Sequence, residues 1–64
     1  MKTCKVTVNK RIESAKFGVV IPQWTSGLKA WTEDYDRFYV EHPQDPAIRL
    51  VVDGKDIDVE RYGG

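Results

Sequence analysis

A chain of 64 residues has room for one domain, and we take residues 1–64 as a single domain. Hydrophobic residues make up 41% and charged residues 31%, a balance typical of a soluble globular protein, and no apolar run approaches the roughly 18 residues of a transmembrane helix. The first residues lack the apolar segment of a secretory signal, and a single cysteine, Cys4, cannot form an intramolecular disulfide. We therefore expect a cytoplasmic protein that does not bind membranes.

The net charge of zero hides an uneven distribution along the chain. Residues 1–30 hold six Lys or Arg and one acid, whereas residues 31–64 hold nine acids and four Lys or Arg. Such asymmetry can mark a nucleic-acid face or an acidic docking face. It also arises when the two halves of a domain pair with each other, which the strand pattern favours.

The N-terminal third has the period-2 alternation of half-buried strands. Cys4, Val6 and Val8 alternate with polar residues, and Phe17, Val19 and Ile21 repeat the pattern before Pro22. The polar segment 9–15 between them has no tight-turn dipeptide. We therefore predict a hairpin with a long loop.

Leu28, Trp31, Tyr35 and Phe38 follow at spacings of three, four and three, which is one face of a helix. Pro43 would end that helix, because the residue before a proline disfavours helical backbone. Thr, Asp, Tyr, Phe and Val are poor helix formers, so strands near 28–32 and 37–41 remain the alternative.

The segment around Asp53-Gly54 predicts a second hairpin, because this dipeptide suits a type I′ turn between strands. The turn fixes a register with apolar pairs on one face and one opposite-charge pair on the other. The apolar pairs would be Leu50 with Ile57 and Ile48 with Val59, and the charged pair Arg49 with Asp58.

These elements predict an α+β domain of two β-hairpins packed on one helix, in the order ββαββ. In this arrangement the first and last strands lie side by side in the centre of the sheet. Thr3, Lys5 and Thr7 would then lie beside Asp56, Asp58 and Glu60, and their charges would largely cancel. The alternative is a small all-β barrel.

This order of elements resembles a minimal β-grasp domain. Residues 48–55, Ile-Arg-Leu-Val-Val-Asp-Gly-Lys, are similar to the ubiquitin hairpin, and the chain ends in Gly63-Gly64 as ubiquitin-like modifiers and small sulfur carriers do. The resemblance implies a carrier whose terminal glycine is adenylated and then converted to a thiocarboxylate or joined to a partner.

No phosphate-binding loop, metal-ligand pair or plausible catalytic triad is present in the sequence. Cys4 and His42 are the only soft ligands, and a zinc site needs four ligands. We therefore expect no catalytic residues, no metal and no cofactor.

The function we favour is a small non-enzymatic module that binds another protein, such as an accessory or regulatory protein of a phage or mobile element. Trp24 and Tyr62 do not fall at the inward-facing positions of any predicted strand or helix. Trp and Tyr are enriched at binding hot spots. The predicted contact residues are Trp24, Tyr39 and Tyr62 with the acidic helix face of Glu33 and Asp36.

Nucleic-acid binding or mimicry is an alternative function, which we do not favour at this point. A binding surface would use Lys5, Lys10, Arg11 and Lys16, with Trp24 as a stacking platform. Mimicry would use the acids Glu33, Asp34, Asp36 and Glu41.

Overall fold

The computed structural model describes residues 2–63, which form seven β-strands and one turn of 3₁₀ helix. No α-helix is present in this part of the chain. The strands are β1 (Lys2–Val8), β2 (Ile12–Ser14), β3 (Val19–Ile21), β4 (Leu28–Thr32), β5 (Arg37–His42), β6 (Asp45–Asp53) and β7 (Ile57–Tyr62), with the 3₁₀ turn at Gly54–Asp56.

Five strands form one antiparallel sheet in the order β6-β5-β4-β1-β7, and β2 pairs with β3 in a separate short hairpin. β4, β5 and β6 follow one another as a meander, and β1 joins β4 to the last strand. The first and last strands are therefore neighbours, and β6 and β7 form the two edges of the sheet.

Alternate residues of the sheet point inwards and build the core. Cys4, Val6 and Val8 of β1 are buried, and even-numbered residues of β4, β5 and β6 continue the same face. The other buried members are Ile12, Ile21, Leu28, Ala30, Phe38, Val40, Leu50, Val52 and Ile57. The β2–β3 hairpin contributes Ile12 and Ile21 to this core, so it packs over the inner face.

His42 ties the hairpin to the sheet from a buried position. The backbone N–H of Gln44 donates to His42 Nδ1 at 3.1 Å, and His42 Nε2 lies 3.2 Å from the carbonyl oxygen of Val20. Because a backbone N–H can only donate, Nδ1 is the acceptor and Nε2 carries the proton that it donates to Val20.

The predicted helix over Leu28–Phe38 is wrong, and with it the α+β class. Residues 28–32 and 37–42 are β4 and β5, in agreement with the all-β alternative. Thr32 stabilises the turn between them, because its buried Oγ1 accepts the N–H of Tyr35 at 2.9 Å and donates to the Arg37 carbonyl at 2.8 Å. The poor helix propensity of this segment was the correct signal, and the three-four-three spacing was accidental.

The predicted hairpin across Asp53-Gly54 is also wrong. β6 and β7 lie at opposite edges of the sheet, so Leu50 faces Val40 instead of Ile57, and Arg49 faces Glu41 instead of Asp58. The backbone N–H of Gly54 donates to the carbonyl of Asp36 at 2.6 Å, and a 3₁₀ turn carries the chain away. Strands do flank Asp53-Gly54 on both sides, but β6 before it pairs with β5 and β7 after it pairs with β1.

The first predicted hairpin differs as well, because β1 pairs with β4 and β7 instead of the segment around Phe17. Thr7 does face Asp58 across β1 and β7, but a register shift places Lys5 opposite Arg61. The expected cancellation of charge between the two halves is therefore absent here, because Asp58 faces the neutral Thr7 and Lys5 faces another cation. A β-grasp fold needs a helix, and residues 2–63 form none, so that fold assignment is corrected too.

Candidate functional site

The outer face of the sheet carries a cluster of aromatic and basic side chains. Trp31 of β4 lies opposite Tyr39 of β5, and Tyr39 lies opposite Val51 of β6. Tyr39 is 42% exposed, whereas Trp31 is half-buried. We call the following six residues the aromatic–basic face: Lys5, Lys29, Trp31, Tyr39, Arg49 and Arg61.

Two cations of this face lie against the Trp31 ring. The guanidinium carbon of Arg49 is 4.8 Å from the ring centroid, and Lys29 Nζ is 5.5 Å from it. Both distances are within the reach of a cation–π interaction. Arg49 reaches the ring across the intervening strand β5, so three strands contribute to one aromatic and cationic surface.

Three cations face one another directly on the neighbouring strands. Lys5 of β1 has Arg61 of β7 as its partner on one side and Lys29 of β4 on the other. Like charges in direct cross-strand register destabilise a sheet. These residues also line a surface cavity of about 290 Å³ together with Thr3 and Gly63, so the cations border an accessible depression.

None of the four cations of the aromatic–basic face forms an ion pair with residues 2–63. The ion pairs in that range join Lys10 to Asp56 at 3.8 Å and Arg11 to Glu13 at 2.8 Å. Glu60 lies near Lys5 and Arg61, but its carboxylate accepts the Thr7 hydroxyl at 2.5 Å and the Gly27 N–H at 3.1 Å. These two hydrogen bonds, the Thr7 one first, lower the pKa of Glu60.

Two further acids border the face. Glu41 lies opposite Arg49 in the β5–β6 ladder, and Glu33 lines a cavity of about 520 Å³ with Trp31, Tyr39 and Arg49. Arg49 makes no ion pair with Glu41 within 4 Å and lies over the Trp31 ring instead. Four cations against three acids, Glu33, Glu41 and Glu60, leave these residues with a net charge of +1.

The structure brings only part of the predicted protein-binding set together. Tyr39 and Glu33 line the same cavity on the outer face. Trp24 is 62% exposed, and its backbone N–H donates to the Val8 carbonyl at one end of β1. Tyr62 lies opposite Cys4, about 13 Å away along the same strand. Asp36 belongs to the β4–β5 turn, so the five residues do not form one surface.

Tyr62 packs edge-to-face on Tyr35, with ring centroids 5.7 Å apart. Of the acids that were assigned to a helix face, Glu33, Asp34 and Asp36 lie in the β4–β5 turn, and Glu41 lies in β5. Asp34 accepts the backbone N–H groups of Arg37 and Asp36 there, which lowers the pKa of its carboxyl. Its carboxylate is therefore used to shape the turn, and no acidic helix face exists to mimic nucleic acid.

The basic residues proposed for nucleic-acid binding are likewise divided. Lys10 and Arg11 form the two ion pairs described above, and Lys16 lies 5.5 Å from the Phe17 ring centroid. Lys5 alone belongs to the aromatic–basic face. The N–H of Gly63, from the proposed carrier tail, donates to the Thr3 carbonyl at 2.8 Å, and Gly64 lies outside the described residues.

Sequence reasoning missed Trp31, Lys29, Arg49 and Arg61 as members of one site. The helical spacing placed Trp31 in the core, and the Asp53-Gly54 hairpin placed Arg49 beside Asp58. The strand alternation of residues 28–32, with Leu28, Ala30 and Thr32 inwards, would have placed Lys29 and Trp31 outwards. The pairing of Arg61 with Lys5 depends on a register shift that no local signal predicts.

The buried side chains offer little chemistry. Burial raises the pKa of the Cys4 thiol, and its Sγ lies 3.7 Å from the Ala30 carbonyl, so it is a poor nucleophile. Residues 2–63 contain no group of three His, Cys, Asp or Glu side chains placed to hold a metal ion. They also form no helix with the length and apolar character needed to cross a membrane.

Comparison with known proteins gave no relative: no family model, curated protein or solved structure matches this chain.

Proposed function

We propose that this protein is a non-catalytic binding module that holds single-stranded nucleic acid against its aromatic–basic face. The observation that supports the proposal is the row Arg61, Lys5 and Lys29, whose like charges face one another without an ion pair in residues 2–63. Such a row costs stability in the free protein. Phosphate groups would neutralise it and release counterions on binding.

The aromatic residues beside this row supply the second part of the argument. Tyr39 and Trp31 are cross-strand neighbours on an open sheet face. Aromatic rings on a basic surface stack with unpaired bases, and each stacked base contributes about 1–3 kcal/mol. We propose that Tyr39 and Trp31 hold bases while the row of cations holds the backbone.

The shape of the face favours a single strand over a duplex. The face extends from β7 to β6, four strand spacings or about 19 Å, and carries no helix that could enter a groove. Unpaired bases can turn towards an open sheet, whereas the bases of a duplex are already stacked on one another.

The test is a fluorescence-anisotropy titration with a labelled 12-nucleotide oligo-dT and a 12-base-pair duplex at several salt concentrations. We expect tighter binding to the single strand and affinity that falls as salt rises. Trp31→Ala should weaken binding roughly 5- to 150-fold, the equivalent of one lost stacking contact. Tyr39→Phe keeps the ring and should bind normally, and Trp24→Ala is the matched control on the other tryptophan.

A second variant examines the acid within the face. Glu41→Gln removes a negative charge beside Arg49 and should tighten binding to oligo-dT. An acidic peptide of equal charge serves as competitor. Displacement of the oligonucleotide by that peptide at equal concentration, or binding that Trp31→Ala leaves unchanged, would overturn the proposal.

A protein partner at Trp24 is the second candidate function, because this side chain is exposed on a fixed backbone. Trp24 has a φ of +67°, and its backbone N–H donates to the Val8 carbonyl. The side-chain amide of the adjacent Gln23 donates to the Asn9 carbonyl at 3.0 Å. A rigid, exposed Trp is a typical hot spot. Cross-linked capture from the native host should lose one specific protein with Trp24→Ala and keep it with Trp31→Ala; equal capture by both variants would contradict this candidate.

A further inference from the structure

Strand β6 leaves one side of its backbone without a partner along most of its length. It pairs with β5 alone, and the nearby strand β2 pairs only with β3. A cavity of about 470 Å³ separates β2 from β6, lined on the two sides by Ile12, Glu13, Val51 and Val52. A second cavity, of about 280 Å³, lies between the turn after β2 and residues 49–51, so the hairpin lies beside the free edge of β6 without pairing with it.

The hydrogen-bond parity of β6 identifies which backbone groups point outwards. The N–H of Gly54 donates to the carbonyl of Asp36, and these two residues are the next pair in the β5–β6 register. Because hydrogen-bonded pairs alternate with non-hydrogen-bonded pairs in an antiparallel ladder, the even-numbered residues of β6 are the ones bonded to β5. The backbone groups of Arg49, Val51 and Asp53 consequently point to the free edge. None of the hydrogen bonds within residues 2–63 outside the β5–β6 ladder uses them.

Edges of this kind are normally protected by Lys, Pro or a bulge. Pro46 and the bulge near Asp45 protect only the beginning of β6. The rest, residues 48–53, carries the charged residues Arg49 and Asp53 but neither Lys nor Pro, and Val51 in its middle is 59% exposed. The free edge thus has the properties of a strand that pairs with another strand.

We infer that β6 pairs antiparallel with β6 of a second copy of this chain, centred on Val51, to form a continuous ten-stranded sheet. In this register Val51 lies opposite the partner's Val51, and Arg49 opposite the partner's Asp53. The backbone N–H and C=O groups of all three residues point to the free edge, so they can form hydrogen bonds with the partner strand in this register. Opposite charges then meet twice across the two-fold axis.

A register centred on Arg49 is unfavourable because it places like charges opposite each other. Centring the pair on Arg49 places two arginines opposite each other and Asp45 opposite Asp53, and like charges in direct register are destabilising. A third register, centred on Leu50, places Arg49 opposite Val51 and pairs no opposite charges. Of these three registers, the one centred on Val51 therefore has the best charge complementarity. This self-complementarity is the reason for choosing a second copy as the occupant, and it does not depend on the proposed function.

Sedimentation equilibrium of the full chain over concentrations up to about 1 mM tests the inference. We expect the mass to rise from 7.4 kDa towards twice that value. Val51→Pro removes only an outward N–H and is compatible with an edge strand, so it should keep the fold and weaken dimerisation at least tenfold. Circular dichroism confirms that the variant is folded.

A charge exchange supplies the second variant. Asp53→Arg places two like-charged pairs in the interface and should abolish the dimer, whereas Arg49→Asp combined with Asp53→Arg should restore it. A 7.4 kDa monomer at every concentration, or a dimer that neither Val51→Pro nor Asp53→Arg weakens, would overturn the inference. A monomer would leave the edge free for a strand of another protein.

Discussion

The two faces of the five-stranded sheet differ in polarity and in how their polar groups are paired, although their residues alternate along the same strands. The inner face is apolar, and its polar members, Thr32 and His42, are fully hydrogen-bonded. The outer face places three cations in direct opposition and leaves them unpaired within residues 2–63. This difference is the basis of our proposal that the outer face binds a ligand, whereas the inner face stabilises the fold.

The largest expected effect is a difference in stability between variants at two consecutive residues of β5. Phe38→Ala should lower the free energy of unfolding by about 3–5 kcal/mol, because Phe38 is buried and leaves a cavity. That is a large part of the about 3–10 kcal/mol available to a domain of this size. Tyr39→Ala on the outer face should cost less than about 1 kcal/mol. Urea unfolding of both variants checks the contrast, and similar losses would contradict it.

Thr32→Val examines the polar part of the inner face. The change keeps the shape but leaves the Tyr35 N–H and the Arg37 carbonyl without their partner, so we expect a loss of about 1–3 kcal/mol. Thr3→Val on the outer face of β1 is the matched control and should change stability by less than about 0.5 kcal/mol. Thermal unfolding of both variants is the measurement. Equal melting temperatures would show that the turn does not depend on the Thr32 hydroxyl.

Lys5→Gln should change stability and binding in opposite directions. Removing the central charge of the row relieves two like-charge contacts at the loss of one attraction to Glu60, and should stabilise the fold by a few tenths of a kcal/mol. The same variant should bind oligo-dT more weakly, with a salt slope reduced by about 0.7. Lys55→Gln, in the 3₁₀ turn, is the control for net charge. A variant that is both less stable and unaltered in binding would refute the contrast between the faces.

Glu60→Gln should alter the pH dependence of stability. The folded-state pKa of Glu60 is lowered, first by the Thr7 hydroxyl and then by the Gly27 N–H, so the stability it contributes is present above its unfolded pKa. That contribution is lost as the pH falls below about 4.3, the value for a free glutamate. The wild type should therefore lose more stability than Glu60→Gln between pH 6 and pH 3, as melting temperatures would record. Parallel curves would contradict the role of these hydrogen bonds.

Several strands of the fold could be predicted from the sequence, but their pairing could not. The alternation of Cys4, Val6 and Val8 identified β1, and the weak helix propensity of residues 28–42 left β4 and β5 as an alternative. The signal at Asp53-Gly54 was misleading because turn chemistry is local. Whether β6 pairs with β7 or with β5 is decided by how much core each pairing buries.

The candidate site depends on those same long-range pairings. Tyr39 and Lys5 were identified as candidate contacts from sequence, but for two different functions and on different surfaces. Trp31 could be placed beside Tyr39 only after the β4–β5 register was known, and Arg61 beside Lys5 only after the register shift in β7. Aromatic residues at helical spacing are usually core, and here that general expectation gave the wrong face for Trp31.

The most direct test of the account uses its two tryptophans as internal reporters. Uniformly ¹⁵N-labelled protein is titrated with oligo-dT, and the two indole N–H signals are followed with the backbone amides. We predict that the Trp31 indole and the amides of Lys5, Lys29, Tyr39 and Arg61 shift, while the Trp24 indole stays in place. Shifts centred on Trp24, or none at saturating oligo-dT, would contradict the assignment of the outer face to ligand binding.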